Sequence, residues 1–340
     1  MKTIVLCGGG TAGHVIPNIA LLPHLKSFKV VYLGCKNSIE EELCKLHGVE
    51  FYPIEVVKFS RTNLLKNLKI PVSLPRCVKK CKELLKKINP SVVFSKGGYA
   101  SLPVTLASKS LGIPYAIHES DLTMGVANKL VKNSASLVMT NFKTTYTGKN
   151  AICTGIPLRE TLFSPLTSSH ILNELKLPQR KTILVTGGSM GAKSLNQFIL
   201  SIISDLCKKY NVIHLTGKGK KIEHLEYGYL PIEYSQDIGK LYKCADLVVS
   251  RAGATAIAEI KALGKKAILV PLSKKASRGD QIKNAYSVKS STIMVFEEDK
   301  LSKNEFLTTV EHLINKPTPV AQNTNFTGDK IADLLCKISL

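Results

Sequence analysis

One pattern constrains this chain more than any other. A buried strand, a glycine turn and an amphipathic helix follow one another twice, about half a chain apart. The first copy is Thr3-Ile4-Val5-Leu6-Cys7, then Gly8-Gly9-Gly10-Thr11-Ala12-Gly13, then apolar residues at helical spacing: Val15, Ile19, Leu22 and Leu25. The second is Thr182-Ile183-Leu184-Val185-Thr186, then Gly187-Gly188-Ser189-Met190-Gly191, then Leu195, Phe198, Ile199 and Ile202. A strand that is apolar throughout, rather than at alternate positions, is buried on both faces, as in a parallel sheet flanked by helices. A length of 340 residues accommodates about two domains, each able to bury its own core. The expected fold class is therefore α/β, with two Rossmann-like domains built on parallel sheets.

Further short apolar runs fit this scheme. In the first half they lie at Val30–Leu33, Phe51–Ile54, Val92–Phe94, Tyr115–Ile117 and Leu137–Met139. In the second they lie at Val212–Leu215, Leu247–Val249, Ala267–Val270 and Thr292–Val295. Helical patterns separate them, the signature of βαβ units. The prolines and polar residues from Pro157 to Pro178 read as an interdomain linker. The expected domains are 1–158 and 159–325, with a last helix over 326–340 carrying Ile331, Leu334 and Leu335 and packing back on the first domain.

The glycine turns carry the chemistry. Gly8, Gly10 and Gly13 spell GxGxxG between a strand and a helix, where free N–H groups and the helix dipole attract phosphate. A dinucleotide site also needs an acid after the second strand to hold a ribose, but that strand ends Leu33-Gly34-Cys35-Lys36. NAD binding is thus disfavoured, and no cofactor is expected. Gly187–Gly191 and Ser250-Arg251-Ala252-Gly253-Ala254-Thr255 are further loops of this kind. In a parallel sheet such loops gather at the carboxyl ends of the strands. His14 follows the first turn directly, at a helix N-terminus that favours neutral imidazole and suits a general base or a phosphate donor. His118-Glu119-Ser120-Asp121 brings three titratable groups to another strand end. Glu259, two turns into a helix, could hold a ribose, and Gln281 and Asn284 could read sugar hydroxyls. No Asp-x-Asp occurs, so a metal clamp of that style is unsupported and helix ends must stabilise the diphosphate.

Taken together and in order, these motifs resemble the MurG family of peptidoglycan N-acetylglucosaminyltransferases. The matching elements are Gly8–Pro17, Lys96-Gly97-Gly98-Tyr99-Ala100-Ser101, His118–Asp121, Gly187–Ala192, Ser250–Ala254 and Asp280-Gln281-x-x-Asn284-Ala285. The resemblance implies a GT-B fold, with two Rossmann-like domains facing a cleft, and inverting transfer of GlcNAc from UDP-GlcNAc to undecaprenyl-linked lipid I. It implies that the second domain holds the donor: Ile238 at uracil, Glu259 at ribose, Ser189 with Arg159 and the Ala254 region at the diphosphate, and Gln281 at GlcNAc. Thr11, Ala12 and Gly13 would face the acceptor, with His14 the first candidate base and Asp121 the second. Two positions depart from the commonest form: Asp121 replaces an Asn, and Ser277-Arg278-Gly279 stands where a His often precedes the Gln.

The net charge of +22 asks for an anionic partner. Residues 58–87 hold ten Lys or Arg against one acid, interleaved with Phe59, Leu64, Leu65, Leu68, Leu84 and Leu85. That composition suits an anionic membrane surface, and with a lipid-linked acceptor it implies a peripheral protein on the cytoplasmic face of the cell membrane. No apolar stretch approaches a membrane span, the N-terminus lacks a signal-peptide pattern, and nine scattered cysteines without CxxC suit free thiols. Nucleic acid is not expected as a partner, since the helix-turn-helix, zinc and aromatic signatures are missing. The nearest rival reading is another UDP-sugar:lipid glycosyltransferase of the same fold, followed by a UDP-GlcNAc 2-epimerase.

Overall fold

A computed structural model describes residues 1–56, 70–188, 191–273, 279–322 and 327–339. The chain divides into two compact units, Met1–Arg159 with Thr324–Leu340, and Glu160–Asn323.

The first unit alternates strand and helix: β1 (Lys2–Cys7), α1 (Ala12–Leu21), β2 (Phe28–Cys35), α2 (Ile39–Leu46), β3 (Glu50–Ile54), α3 (Ile70–Ile88), β4 (Val92–Ser95), α4 (Ser101–Ser110), β5 (Tyr115–Glu119), α5 (Val126–Val131), β6 (Leu137–Thr140) and β7 (Ala151–Cys153). The seven strands form one sheet in the order β3-β2-β1-β4-β5-β6-β7, each paired parallel to its neighbours. Order reverses between β1 and β4, the switch point outside which ligands of such sheets bind. α3 shows how sequence sets packing: Cys77, Cys81 and Leu85, spaced by one helical turn, are buried in the core with Val5, Cys7 and Val93. On its other side Arg76, Lys79, Lys80, Glu83, Lys86 and Lys87 are exposed.

The second unit runs α6 (Ser168–Glu174), β8 (Thr182–Thr186), α7 (Lys193–Leu200), α8 (Ile203–Cys207), β9 (Asn211–Leu215), β10 (Tyr229–Ile232), α9 (Ile238–Cys244), β11 (Leu247–Ser250), α10 (Ala254–Ala262), β12 (Lys266–Leu269), α11 (Asp280–Ser287), β13 (Ile293–Val295) and α12 (Lys303–Ile314). Its six strands, again parallel, take the order β10-β9-β8-β11-β12-β13, with the switch point between β8 and β11. The core joins Ile183, Val185, Leu195, Ile199 and Val249 to Phe306, Val310 and Leu313 of α12. The last helix, α13 (Thr327–Ile338), belongs to the first unit. Its Ile331, Ala332 and Leu335 pack on Ile4, Leu6, Val92 and Phe94, and His24 Nδ1 lies 2.7 Å from Asp329.

Three expectations need correction. The segment read as a linker is folded in part: Thr167 accepts from the backbone N–H of His170 and starts α6. β7 and β10 went unread. β7 is three half-buried residues, and β10 is an edge strand containing Pro231, so neither shows a continuous apolar run. α1 ends at Leu21 rather than running on to Leu25, because Pro23 turns the chain into a 3-10 helix over Leu22–His24. All nine cysteines are free thiols.

Candidate functional site

The loops at the carboxyl edge of the second sheet come from four strands. After β10 comes Ile238, the first residue of α9, whose cap is Asp237 accepting from Lys240 N–H. After β8 comes the glycine turn, after β11 comes Gly253-Ala254, and after β12 comes Gln281 in the first turn of α11. α7, α10 and α11 all begin at this edge without a side-chain cap hydrogen bond. The glycines divide by role. A Cβ on Gly187 would lie 2.5 Å from Ala192 N, and one on Gly191 (φ +63°) 1.9 Å from Thr216 O, so these two are needed for packing. Gly188 and Gly253 have no atom within 4 Å of that position: their Cα faces open onto space, where a ligand can approach the backbone.

Glu259 is not the solvated helix residue its spacing would allow. It is 7% exposed, and Tyr242 donates to its Oε2 at 3.1 Å. Gln281 accepts from Leu272 N–H at 3.1 Å, fixing the loop after β12. Arg251, unremarked in the sequence except within its motif, turns back into the protein. It donates to the carbonyls of Val270 (3.0 Å) and Pro271 (3.4 Å), to Ser194 Oγ (2.9 Å) and to Glu298. Burial pushes Glu298 up, but hydrogen bonds from Ser194 and Arg251 outweigh it and hold the carboxyl below its usual range. One partly buried ion pair thus ties the first turn of α7 to the segments after β11, β12 and β13.

The carboxyl edge of the first sheet is organised differently. Here the glycines meet their own protein: a Cβ on Gly9 would lie 2.3 Å from Glu40 Oε1, on Gly10 (φ +92°) 2.5 Å from the Tyr99 ring, and on Gly98 (φ +82°) 2.4 Å from Gly9 O. The acid missing from the end of β2 comes from α2 instead. Glu40 is fully buried and accepts from Cys35 N–H, so it serves the loop and no ribose. Thr11 is exposed at the N-cap of α1 without capping it, and Ala12 and Gly13 form the first turn. The half-buried His14 donates its Nδ1–H to the carbonyl of Lys96 at 3.0 Å; a carbonyl only accepts, so in the neutral ring Nε2 is the basic nitrogen.

Lys96 itself, 1% exposed, points its Nζ at His118 Nδ1 (2.7 Å) and Ser120 Oγ (2.8 Å). His118 Nε2–H donates to Gly155 O at 2.7 Å, and burial together with Lys96 holds this imidazole well below its usual value, hence neutral. Burial lowers Lys96 to about 7, against the upward pull of Glu119 and Asp121. Glu119 accepts from the N–H groups of Asp121 and Gly125 and from Asn128, so it shapes the turn that presents the half-buried Asp121.

Within unit 1 the structure therefore gathers Thr11, Ala12, Gly13, His14 and Asp121 at one sheet edge, with Arg159 closing the unit. Within unit 2 it gathers Ile238, Ala254, Glu259 and Gln281. Ser189 and Arg278 lie outside the described residues, as do Lys58 through Lys69. A cavity of about 340 Å³ lies at the opposite, amino edge of the second sheet, beside Lys181, Asp246, Lys265 and Lys266. Its lysines are spent on carbonyls at helix ends, Lys266 and Lys181 on Ile314 O and Lys265 on Ala245 O, and it is remote from the loops above.

Comparison with known proteins fits this geometry. Residues 4–140 match the glycosyltransferase family 28 N-terminal domain and residues 182–335 its C-terminal domain. A protein from Lachnospira eligens is 44% identical, over 92% of this chain and 91% of its own. One from Lachnoclostridium phytofermentans is 40% identical over the full length of both. Both carry the name UDP-N-acetylglucosamine--N-acetylmuramyl-(pentapeptide) pyrophosphoryl-undecaprenol N-acetylglucosamine transferase. Among solved structures, MurG of Acinetobacter baumannii superposes with a TM-score of 0.76 at 23% identity, over 99% of this chain and all of that one. The UDP-GlcNAc 2-epimerase of Neisseria meningitidis shares the fold at a TM-score of 0.66 and 14% identity, over 99% of this chain and all of that one. With both family domains matched and a relative 40% identical over its whole length, the chain belongs to glycosyltransferase family 28 and, within it, to the MurG family of N-acetylglucosaminyltransferases.

Proposed function

We propose that this chain transfers GlcNAc, with inversion, from UDP-GlcNAc to the 4-hydroxyl of the MurNAc residue of undecaprenyl-diphosphate-MurNAc-pentapeptide (lipid I), giving lipid II. The observation that carries the reading is the full-length match to relatives named for this reaction.

Region 159–325 is the donor domain in this reading. From β10 to β12 is four strand spacings, about 19 Å at ~4.8 Å each, room to lay out a nucleoside, two phosphates and a hexose along one edge. Ile238 meets uracil through its backbone and Glu259 takes the ribose. The uncapped starts of α7 and α10, with Ser189, Ala254 and Arg159, take the diphosphate, and Gln281 reads GlcNAc. As the glycosidic bond to UDP breaks, negative charge grows on the β-phosphate, and fixed N–H dipoles stabilise it without reorganising. Region 1–158 takes the acceptor. Thr11, Ala12 and Gly13 face it, and His14 Nε2 accepts the proton of the attacking hydroxyl in a single displacement. Asp121 is the second candidate base.

A lipid-linked acceptor places the enzyme at the cytoplasmic face of the membrane, with residues 58–87 against anionic headgroups. The exposed basic face of α3 supports this, and no helix among the described residues is long and apolar enough to cross a bilayer. Measuring UDP release from UDP-GlcNAc with and without lipid I tests the reaction. Release that requires lipid I, and that fails with UDP-glucose, is the expected result. Release independent of lipid I overturns the reading.

A further inference from the structure

Lys96 joins the two arms of the first unit's site. Its carbonyl accepts from His14 Nδ1–H, while its ammonium, buried beneath the sheet edge, donates to His118 Nδ1 and Ser120 Oγ. The charged groups facing it are Glu119 on β5 and Asp121 on the following loop; the imidazoles of His14 on α1 and His118 on β5 flank it. Ser120 is held from its other side by Asn141, which donates to its carbonyl at 3.1 Å, and Thr145 Oγ1 donates to Asp121 O at 3.2 Å. The loop that carries Asp121 is therefore clamped at consecutive residues, with Lys96 as its basic clamp.

What the packing asks for there is a hydrogen-bond donor to His118 Nδ1 and Ser120 Oγ, which a neutral amine would also supply. The side chain is surrounded by protein, and an unbranched apolar residue would fill the same space without desolvating an ammonium. A lysine desolvated beside two candidate bases, its pKa lowered to about 7 and its amine bonded to the loop that carries one of them, points to a role in the reaction. We propose that Lys96 is a positioning residue for the acceptor end of the site: its ammonium orders the His118–Asp121 loop and gives that loop its counter-charge, at the expense of stability. The inference rests on the function proposed above. Lys96 touches no substrate; it acts through Ser120, His118 and Asp121.

The test compares the parent with Lys96→Met and Ser120→Ala, following UDP release with lipid I and thermal unfolding. Lys96→Met is expected to fold and to unfold cooperatively, the relief of a desolvated amine offset by the donor lost to His118 Nδ1 and Ser120 Oγ. Its kcat should fall about tenfold or more, as expected when a reacting group drifts by a fraction of an ångström, with KM for UDP-GlcNAc within about twofold of the parent. Ser120→Ala, which removes one partner and leaves the lysine in place, should lose kcat in the same sense. A further signature is specific to the buried charge. Lys96 holds its proton less tightly folded (to about 7) than unfolded (10.5), so the parent gains stability as pH rises from 7 to 10, and Lys96→Met lacks that gain. If Lys96→Met keeps the parent's kcat, or Ser120→Ala does, the inference is wrong. If Lys96→Met cannot fold, the charge serves the fold and the inference is equally wrong. A parent that transfers nothing to lipid I sinks the proposed function and this inference with it; an active parent beside an equally active Lys96→Met sinks this inference alone.

Discussion

At the scale of single residues, the base assignment turns on which nitrogen of His14 carries hydrogen. The Lys96 carbonyl takes Nδ1–H, so Nε2 is the basic atom, and that atom is what the proposed mechanism uses. His14→Gln removes it, and kcat should fall by about 10²–10⁴-fold, the usual worth of a general base, with KM for UDP-GlcNAc little changed. Near-parental turnover at saturating substrates would move the role to Asp121. His214 gives a second, independent prediction. It is fully buried between Tyr229 Oη (3.0 Å) and Asn196 Oδ1 (3.1 Å), and burial lowers it to about 4 from 6.5. Between those values the unfolded chain binds a proton that the folded one refuses. Stability is therefore intact above pH 6.5 and falls as pH drops toward 4, by on the order of 3 kcal/mol at ~1.4 kcal/mol per pH unit. His118 acts in the same direction. Urea midpoints at pH 7, 5.5 and 4.5 should decline in the parent and decline less in His214→Gln; a flat series contradicts the account. Such partners are what sequence cannot supply. His14, Glu259 and Gln281 could be picked out by their place after strand and turn, but the inward turn of Arg251 and the burial of Lys96 and Glu40 depend on neighbours far along the chain.

At the scale of elements, legibility followed burial. β1, β2, β4 and β5 of the first sheet and β8, β9, β11 and β12 of the second are nearly continuous apolar runs, and each was readable as a strand. The unread strands β7 and β10 are half-exposed edge strands, as are β3 and β13, which were read; β7 is only three residues long and β10 is interrupted by Pro231, so neither offers a continuous apolar run. Of α3 the sequence showed only the basic character; the structure adds the division into a buried stripe of Cys77, Cys81 and Leu85 and an outer face of Arg76, Lys79, Lys80, Lys86 and Lys87. That outer face is exposed, its one ring contact among the described residues being Lys87 over Tyr52, so changing it should leave the fold largely intact. Replacing Lys79, Lys80, Lys86 and Lys87 together by Glu should abolish sedimentation with anionic vesicles, since each lysine near such a surface contributes about 1 kcal/mol and each reversal adds repulsion. Thermal unfolding should be little altered. Equal binding of parent and variant to phosphatidylserine vesicles would remove α3 from the membrane contact.

At the scale of the whole molecule, the repeated strand–glycine–helix unit foretold two sheets of one kind, and each sheet has its own core. One is built around Ile183, Val249 and Phe306; the other lies on the two faces of the first sheet, closed by α13 on one of them. Glycine loops alone did not reveal which sheet takes the nucleotide. What lies beside the glycines supports the assignment proposed above: protein atoms at Gly9, Gly10 and Gly98, as also at Gly187 and Gly191, but open space at Gly188 and Gly253. This difference predicts where a ligand will be felt. A ligand that binds only the folded second unit stabilises it by RT ln(1 + [L]/Kd), about 2.7 kcal/mol at a hundredfold excess over Kd. Two cores make a single all-or-none transition an unsafe assumption, so the stabilisation should be local. In hydrogen exchange, saturating UDP-GlcNAc should slow the amides of β8, β11 and α10, while those of β1, β4 and α13 keep their rates. Protection that rises first around β1 and α1 would put the nucleotide on the GxGxxG loop instead, and the donor and acceptor assignments of the two units would have to be exchanged.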